Sequence, residues 1–152
     1  MSATEKYLKT LLSYYEDEIM GEAYFYSLAD HFDEREKLAL LAMVERRAAE
    51  SILPFLRKYG LIPREEPELK ALGEAVVERH ESFTWPELMS YMVKRYPEYL
   101  DDFTALEKMA PEEDLYALNI LTKHEVAAIE FAEKELTGKP GSLAPLHEYL
   151  QP

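Results

Sequence analysis

Apolar residues recur at three- and four-residue intervals through four long stretches of the chain, the spacing of α-helices that each bury one face. Leu8, Leu12, Tyr15, Ile19, Tyr26 and Ala29 line the first such stripe, and Leu38, Leu41, Ala48, Ile52, Phe55 and Tyr59 the second. An acid interrupts each stripe once: Glu22 falls between Ile19 and Tyr26, and Glu45 between Leu41 and Ala48. A carboxylate inside an apolar stripe is costly unless it is paired or ligates a metal. These two glutamates are therefore the first candidates for function.

Punctuation between the stripes sets the expected elements. Ser2 with Glu5 reads as a capping box for a first helix reaching about Phe32, and Asp33 with Glu36 repeats the signal for the second. Gly60 offers a left-handed cap after Tyr59, and Pro63 prevents continuation. Two helices joined so tightly are antiparallel neighbours. The periodicity weakens over 61–83 among Pro63, Pro67 and alternating charges, which reads as a long crossover with room for a helix over Leu69–Arg79. Thr84, Pro86 and Glu87 open a third helix expected to reach Met109, with a kink at Pro97. Pro111, followed by Glu112, Glu113 and Asp114, opens a fourth that Gly138 and Pro140 close. The expected fold is all-α: an antiparallel four-helix bundle over 1–138, its crossover at about 61–83 between helices 2 and 3. A tail over 139–152 is expected to pack Leu146 and Leu150 against a bundle end.

Because an α-helix rises about 1.5 Å per residue, depth below a turn can be counted. Glu22 lies eleven residues before Asp33 and Glu45 twelve after it, which places both roughly 17 Å from that turn and facing each other. Glu98 lies thirteen residues before Pro111 and His124 thirteen after it. Glu22, Glu45, Glu98 and His124, with Glu125 adjacent, form the candidate set; oxygen and imidazole donors inside a bundle suit iron or manganese, and zinc less well. Plainer roles fit the same spacing, with glutamate heads reaching water at the stripe edge and His124 bonding between helices. Glu18, one turn before Glu22, is close enough to be an extra ligand but is assigned with Glu16 and Asp17 to the solvated face. His31, His80 and His147 fall near helix ends or loops and read as surface histidines. Tyr15, Tyr26, Tyr91 and Tyr99 are placed to flank a redox metal, although aromatic residues at helical spacing usually form core.

Charge and composition narrow the partners. A formal net charge of -13 opposes binding to nucleic-acid backbones and anionic membranes. The chain has no cysteine, which removes disulfides, thiolate metal sites and thiol nucleophiles. No stretch is long and apolar enough to span a membrane, and Met1-Ser2-Ala3-Thr4-Glu5 lacks the basic opening and apolar core of a secretion signal. A cytoplasmic protein is expected, with a homodimer left open. Nucleophile elbows, phosphate loops and His-Glu-x-x-His zinc motifs are absent from the sequence.

Four local patterns carry a resemblance. Gly21-Glu22-Ala23, Glu45-Arg46-Arg47-Ala48-Ala49 with Phe55-Leu56, Tyr96-Pro97-Glu98-Tyr99, and His124-Glu125 with Phe131-Ala132 resemble the ferritin-like superfamily, rubrerythrins most closely. The resemblance implies a metal site built from one Glu on each of two helices and a Glu-x-x-His motif on each of the other two. Glu22 would take the first role, Glu45 the acid of one motif and His124 the histidine of the other. Ala48 stands where the first motif has histidine, and Leu121 where the second has glutamate. Read from Glu125 instead, Ala128 occupies the histidine position. The implied function is that of an iron-dependent (di-iron or mononuclear) or manganese oxidoreductase, acting with oxygen or peroxide on a small molecule. The alternative is a metal-free scaffold or binding module in which Lys94, Arg95 or Lys123 neutralises the buried acids.

Overall fold

A computed structural model describes residues 3–151; Met1, Ser2 and Pro152, and with them the expected Ser2 cap and the last residue of the tail, lie outside the described residues. Among the described residues every regular element is helical and no strand occurs.

Local chemistry accounts for the helix ends. α1 (Glu5–Leu28) starts at Thr4, whose hydroxyl accepts the Tyr7 N–H at 3.1 Å. It passes into a 3-10 turn over Ala29–His31. α2 (Arg35–Lys58) follows without the Asp33 cap: Glu34 holds the cap position and no side chain bonds there. Its far end matches expectation, since Gly60 adopts a φ of 66° and lets the Leu61 N–H reach back to the Leu56 carbonyl at 2.8 Å.

The crossover holds α3 (Glu66–Val76), continued by a 3-10 turn to Arg79. It starts earlier than expected because Pro67 sits in the first turn, where its missing N–H costs nothing. α4 (Trp85–Met109) opens on a reciprocal capping box between Thr84 and Glu87 and continues through Pro97. α5 (Leu115–Thr137) closes on Gly138 with φ 69°. α6 (Ala144–Leu150) lies in the tail.

α1 packs on α2 and α3, α4 on α5, α2 on α5, and α6 on α5 and α2. Two polar hubs bring helix ends together. Asp114, ahead of α5, accepts from Tyr7 near the start of α1 at 2.7 Å and from Lys58 and Tyr59 at the end of α2 at 2.7 and 2.5 Å. Glu135, late in α5, accepts from Lys37 near the start of α2 at 2.8 Å and from Trp85 at the start of α4 at 2.9 Å. The buried apolar residues fall into two clusters. One runs from Tyr24 to Val44 and through Leu88 to Tyr96, and the other from Tyr7 to Ile19 and through Ala48 to Leu56. The buried polar side chains of Glu22, His124 and Glu125 come between them in sequence, and Glu18 stands next to Ile19 at the edge of the second. No described helix is long and apolar enough to cross a membrane.

Candidate metal centre

Three helices bring donor atoms to one point. His124 of α5 is 1% exposed, and its Nε2 lies 2.9 Å from Glu18 Oε2 of α1 and 2.9 Å from Glu45 Oε2 of α2. Glu125 Oε2 stands further off, at 3.4 Å. Donor atoms of Glu18, Glu45 and His124 all fall within 4.8 Å of one another. The other ring nitrogen, Nδ1, donates to the Leu121 carbonyl one turn back. A carbonyl can only accept, so Nδ1 carries a proton, and Nε2 is the ring atom turned to the two carboxylates, to which it donates when the ring is protonated. His124 Nε2, Glu18 Oε2 and Glu45 Oε2 are buried and have no polar partner beyond one another and the more distant Glu125 Oε2.

The register follows from helix ends. Glu18 lies ten residues before Leu28, the end of α1, and Glu45 ten residues after Arg35, the start of α2. Equal rise then sets them at one level. Gly21 makes the approach possible: a Cβ there would stand 2.5 Å from Glu45 Oε1, so the bare backbone is what leaves room for the carboxylate.

The layer carries more acid than base. Burial, then the neighbouring Glu45, pushes the Glu18 carboxyl well above its usual range. Burial works on Glu45 in the same direction, but its hydrogen bond with Glu18 and the charge of His124 outweigh it and hold Glu45 low. Burial disfavours a charged His124, yet Glu18 and Glu45 together raise its proton affinity well above normal. Glu125 is pushed up to about 8 by burial, with Glu45 adding to the effect and His124 opposing it. The cluster therefore shares protons among its three acids and the imidazole.

Of the residues chosen from sequence, Glu45, His124 and Glu125 meet here; Glu22 and Glu98 do not. Glu22 is buried but faces Arg46, which holds it through Nε and Nη2 at 3.0 and 2.7 Å and also binds Glu66 of α3 at 2.8 Å. Glu98 is exposed and pairs with Arg95 at 2.6 Å. Its position explains this: Tyr96, Tyr99 and Phe103 line the cavity beside the centre, and Glu98, two residues after Tyr96, points about 200° away around the helix. Lys94, Arg95 and Lys123 are exposed and do not enter the cluster.

Glu18, placed with the solvated residues from sequence, is 4% exposed and central. Counting from helix ends instead of from Asp33 is the signal that finds it. His80, read as a surface histidine, is buried and its Nδ1 lies 2.7 Å from the Tyr24 hydroxyl. Tyr26 is 47% exposed and far from a flanking role. The tail reaches the middle of α5 and not an end: Tyr149 donates to the Ile120 carbonyl at 2.9 Å, and its ring centre lies 6.4 Å from that of His124.

Glu18, Glu45 and Glu125 also line a cavity of about 360 Å³ between α1, the crossover and α4. His124 does not line it, so the cavity meets the cluster on its carboxylate side. No protein-family model, curated protein or solved structure matches this chain.

Proposed function

We propose that this chain is a ferritin-like metalloprotein in which α1, α2, α4 and α5 form an antiparallel four-helix bundle, α3 occupies the crossover, and Glu18, Glu45 and His124 hold iron or manganese. The polar hubs support the alternating helix directions. The observation that carries the metal reading is the convergence of Glu18 Oε2, Glu45 Oε2 and His124 Nε2, three buried donor atoms from three helices with no nearer polar partner than one another. Buried polar atoms are nearly always bonded, and two carboxylate oxygens with an imidazole nitrogen make a donor set for iron or manganese. α4 presents tyrosines where a second metal would need a carboxylate, so the donors support one ion and not a bridged pair. An ion held there would supply oxidoreductase chemistry toward oxygen or peroxide.

The chain's own groups have definable roles. The Leu121 carbonyl fixes the His124 tautomer and ring direction, as outer partners of metal ligands do. Gly21 leaves space for the Glu45 carboxylate. The Arg46–Glu22 pair keeps the next acid along α1 neutralised and away from the centre. Burial of Glu18 and His124 limits access to the side of the cavity, by which a substrate would reach the centre.

Calorimetric titration of the chelator-treated protein with Mn²⁺, and anaerobically with Fe²⁺, tests the reading. One equivalent is expected to bind. Glu45→Gln and His124→Ala should each weaken binding by at least about 100-fold, more than loss of an outer partner, while Glu98→Gln leaves it unchanged. No stoichiometric uptake, or uptake that Glu45→Gln leaves intact, refutes the metal site and leaves the scaffold reading.

A further inference from the structure

The cavity next to the carboxylate cluster has a chemistry of its own. At about 360 Å³ it sits at the small end of ligand pockets, which run roughly 300–1,000 Å³. Five of its wall residues are acids, Asp17, Glu18, Glu45, Asp102 and Glu125, and no lysine or arginine among the described residues lines it. Most of the remaining wall is aromatic. Tyr91, Tyr96 and Tyr99 stand in sequence, with ring centres 6.4 and 5.7 Å apart and planes inclined at 78° and 46°. Tyr14 meets Phe103 edge-on at 5.2 Å. Asp17 on α1 and Asp102 on α4 both act on the Tyr14 hydroxyl, after burial, to hold its proton.

We propose that this cavity binds a small organic cation, an alkyl- or arylammonium compound, between the tyrosine faces and the carboxylates. A cation over an aromatic face is attracted to it, most when desolvated, and Tyr99 already holds the Arg95 guanidinium 4.7 Å from its ring centre. An anion would meet five acids, with only His80, whose proton affinity burial lowers, to set against them. A metal at Glu18, Glu45 and His124 would offset the inner acids but leave Asp17 and Asp102, both exposed, so the cation preference does not depend on the metal reading. Glu18 supplies a second pointer, because it lines the cavity while buried, with His124 the only base its Oε2 meets.

The test is calorimetry on the full chain, once after chelation and once after incubation with Mn²⁺. Phenethylammonium and tetramethylammonium are the cationic probes, 2-phenylethanol the neutral match and phenylacetate the anionic one. Phenethylammonium should bind at least about tenfold more tightly than 2-phenylethanol, and phenylacetate should give no binding heat. Asp102→Asn, at an exposed position, should weaken phenethylammonium several-fold without moving Tm, and Tyr99→Leu should weaken both ammonium probes. Equal affinity for phenethylammonium and 2-phenylethanol, or no binding of either ammonium probe, overturns the proposal. Mn²⁺ uptake is measured in the same runs, so ammonium binding without metal uptake removes only the metal reading, and the converse removes only this one.

Discussion

Gly21 has no side chain, and the Glu45 carboxylate occupies the space that one would fill. A Cβ at this position would lie 2.5 Å from Glu45 Oε1 and 3.0 Å from its Cδ. Both atoms belong to the outer part of a flexible side chain, so the backbone need not move. The carboxylate does, and with it one of the three donors. Replacing glycine by alanine inside a helix favours the helix by about 0.5–1 kcal/mol. Gly21→Ala should therefore leave Tm unchanged or slightly raised while Mn²⁺ affinity falls about tenfold or more, as loss of ligand positioning does elsewhere. Calorimetry and a thermal melt on the same sample separate the two effects. Wild-type affinity in Gly21→Ala would show that Glu45 has no fixed position to lose.

At the scale of the element, α3 depends on Gly73 in a different way. A Cβ there would stand 2.1 Å from the Met20 carbonyl oxygen and 2.9 Å from its carbon. These are backbone atoms inside α1 and cannot turn aside. Gly73→Ala should thus destabilise by about 1–3 kcal/mol through overpacking. Hydrogen exchange should report the loss first in 66–79, with α4 and α5 still protected. Uniform loss across all helices would mean that α3 does not open as a unit. Helix ends were legible in the sequence where their signals are local: Thr84 with Glu87, Gly60 and Gly138 act within one turn of themselves. The seat of α3 was not, because Gly73 takes its meaning from Met20 on another helix. Glu45, His124 and Glu125 were legible for the same reason that a stripe is. Glu18 was not, because the 3-10 turn and loop between Leu28 and Arg35 shift the level counted from Asp33. Glu98 was lost to rotation, since α4 turns Tyr96, Tyr99 and Phe103 toward the cavity.

For the molecule as a whole, Asp114 ties α1, α2 and α5 together at one end while being fully buried. Burial alone would raise its carboxyl, but bonds from Lys58, Tyr59 and Tyr7 outweigh that and hold it below the usual carboxylate range. In the unfolded chain the group returns to about 3.9. The folded state therefore binds this proton less readily, and the hub's stabilisation is fully present above about pH 4. It is lost progressively as the pH falls through the lower, folded value. Asp114→Asn removes the charge at every pH, and its amide oxygen can keep the Tyr7 and Tyr59 hydroxyls, which already share Oδ2, only by turning its NH2 toward the Lys58 ammonium, donor against donor. Its cost should be about 1–3 kcal/mol near neutrality, the range for a buried polar group losing a partner. That difference from wild type should shrink below about pH 4 as the native carboxylate becomes protonated. The other carboxylates are common to both proteins and cancel in the comparison. Urea unfolding of the pair at pH 7, 5, 4 and 3 measures the difference directly. A gap that stays constant down to pH 3 would mean that the hub acts through shape and hydrogen-bond count, with the charge of Asp114 contributing nothing.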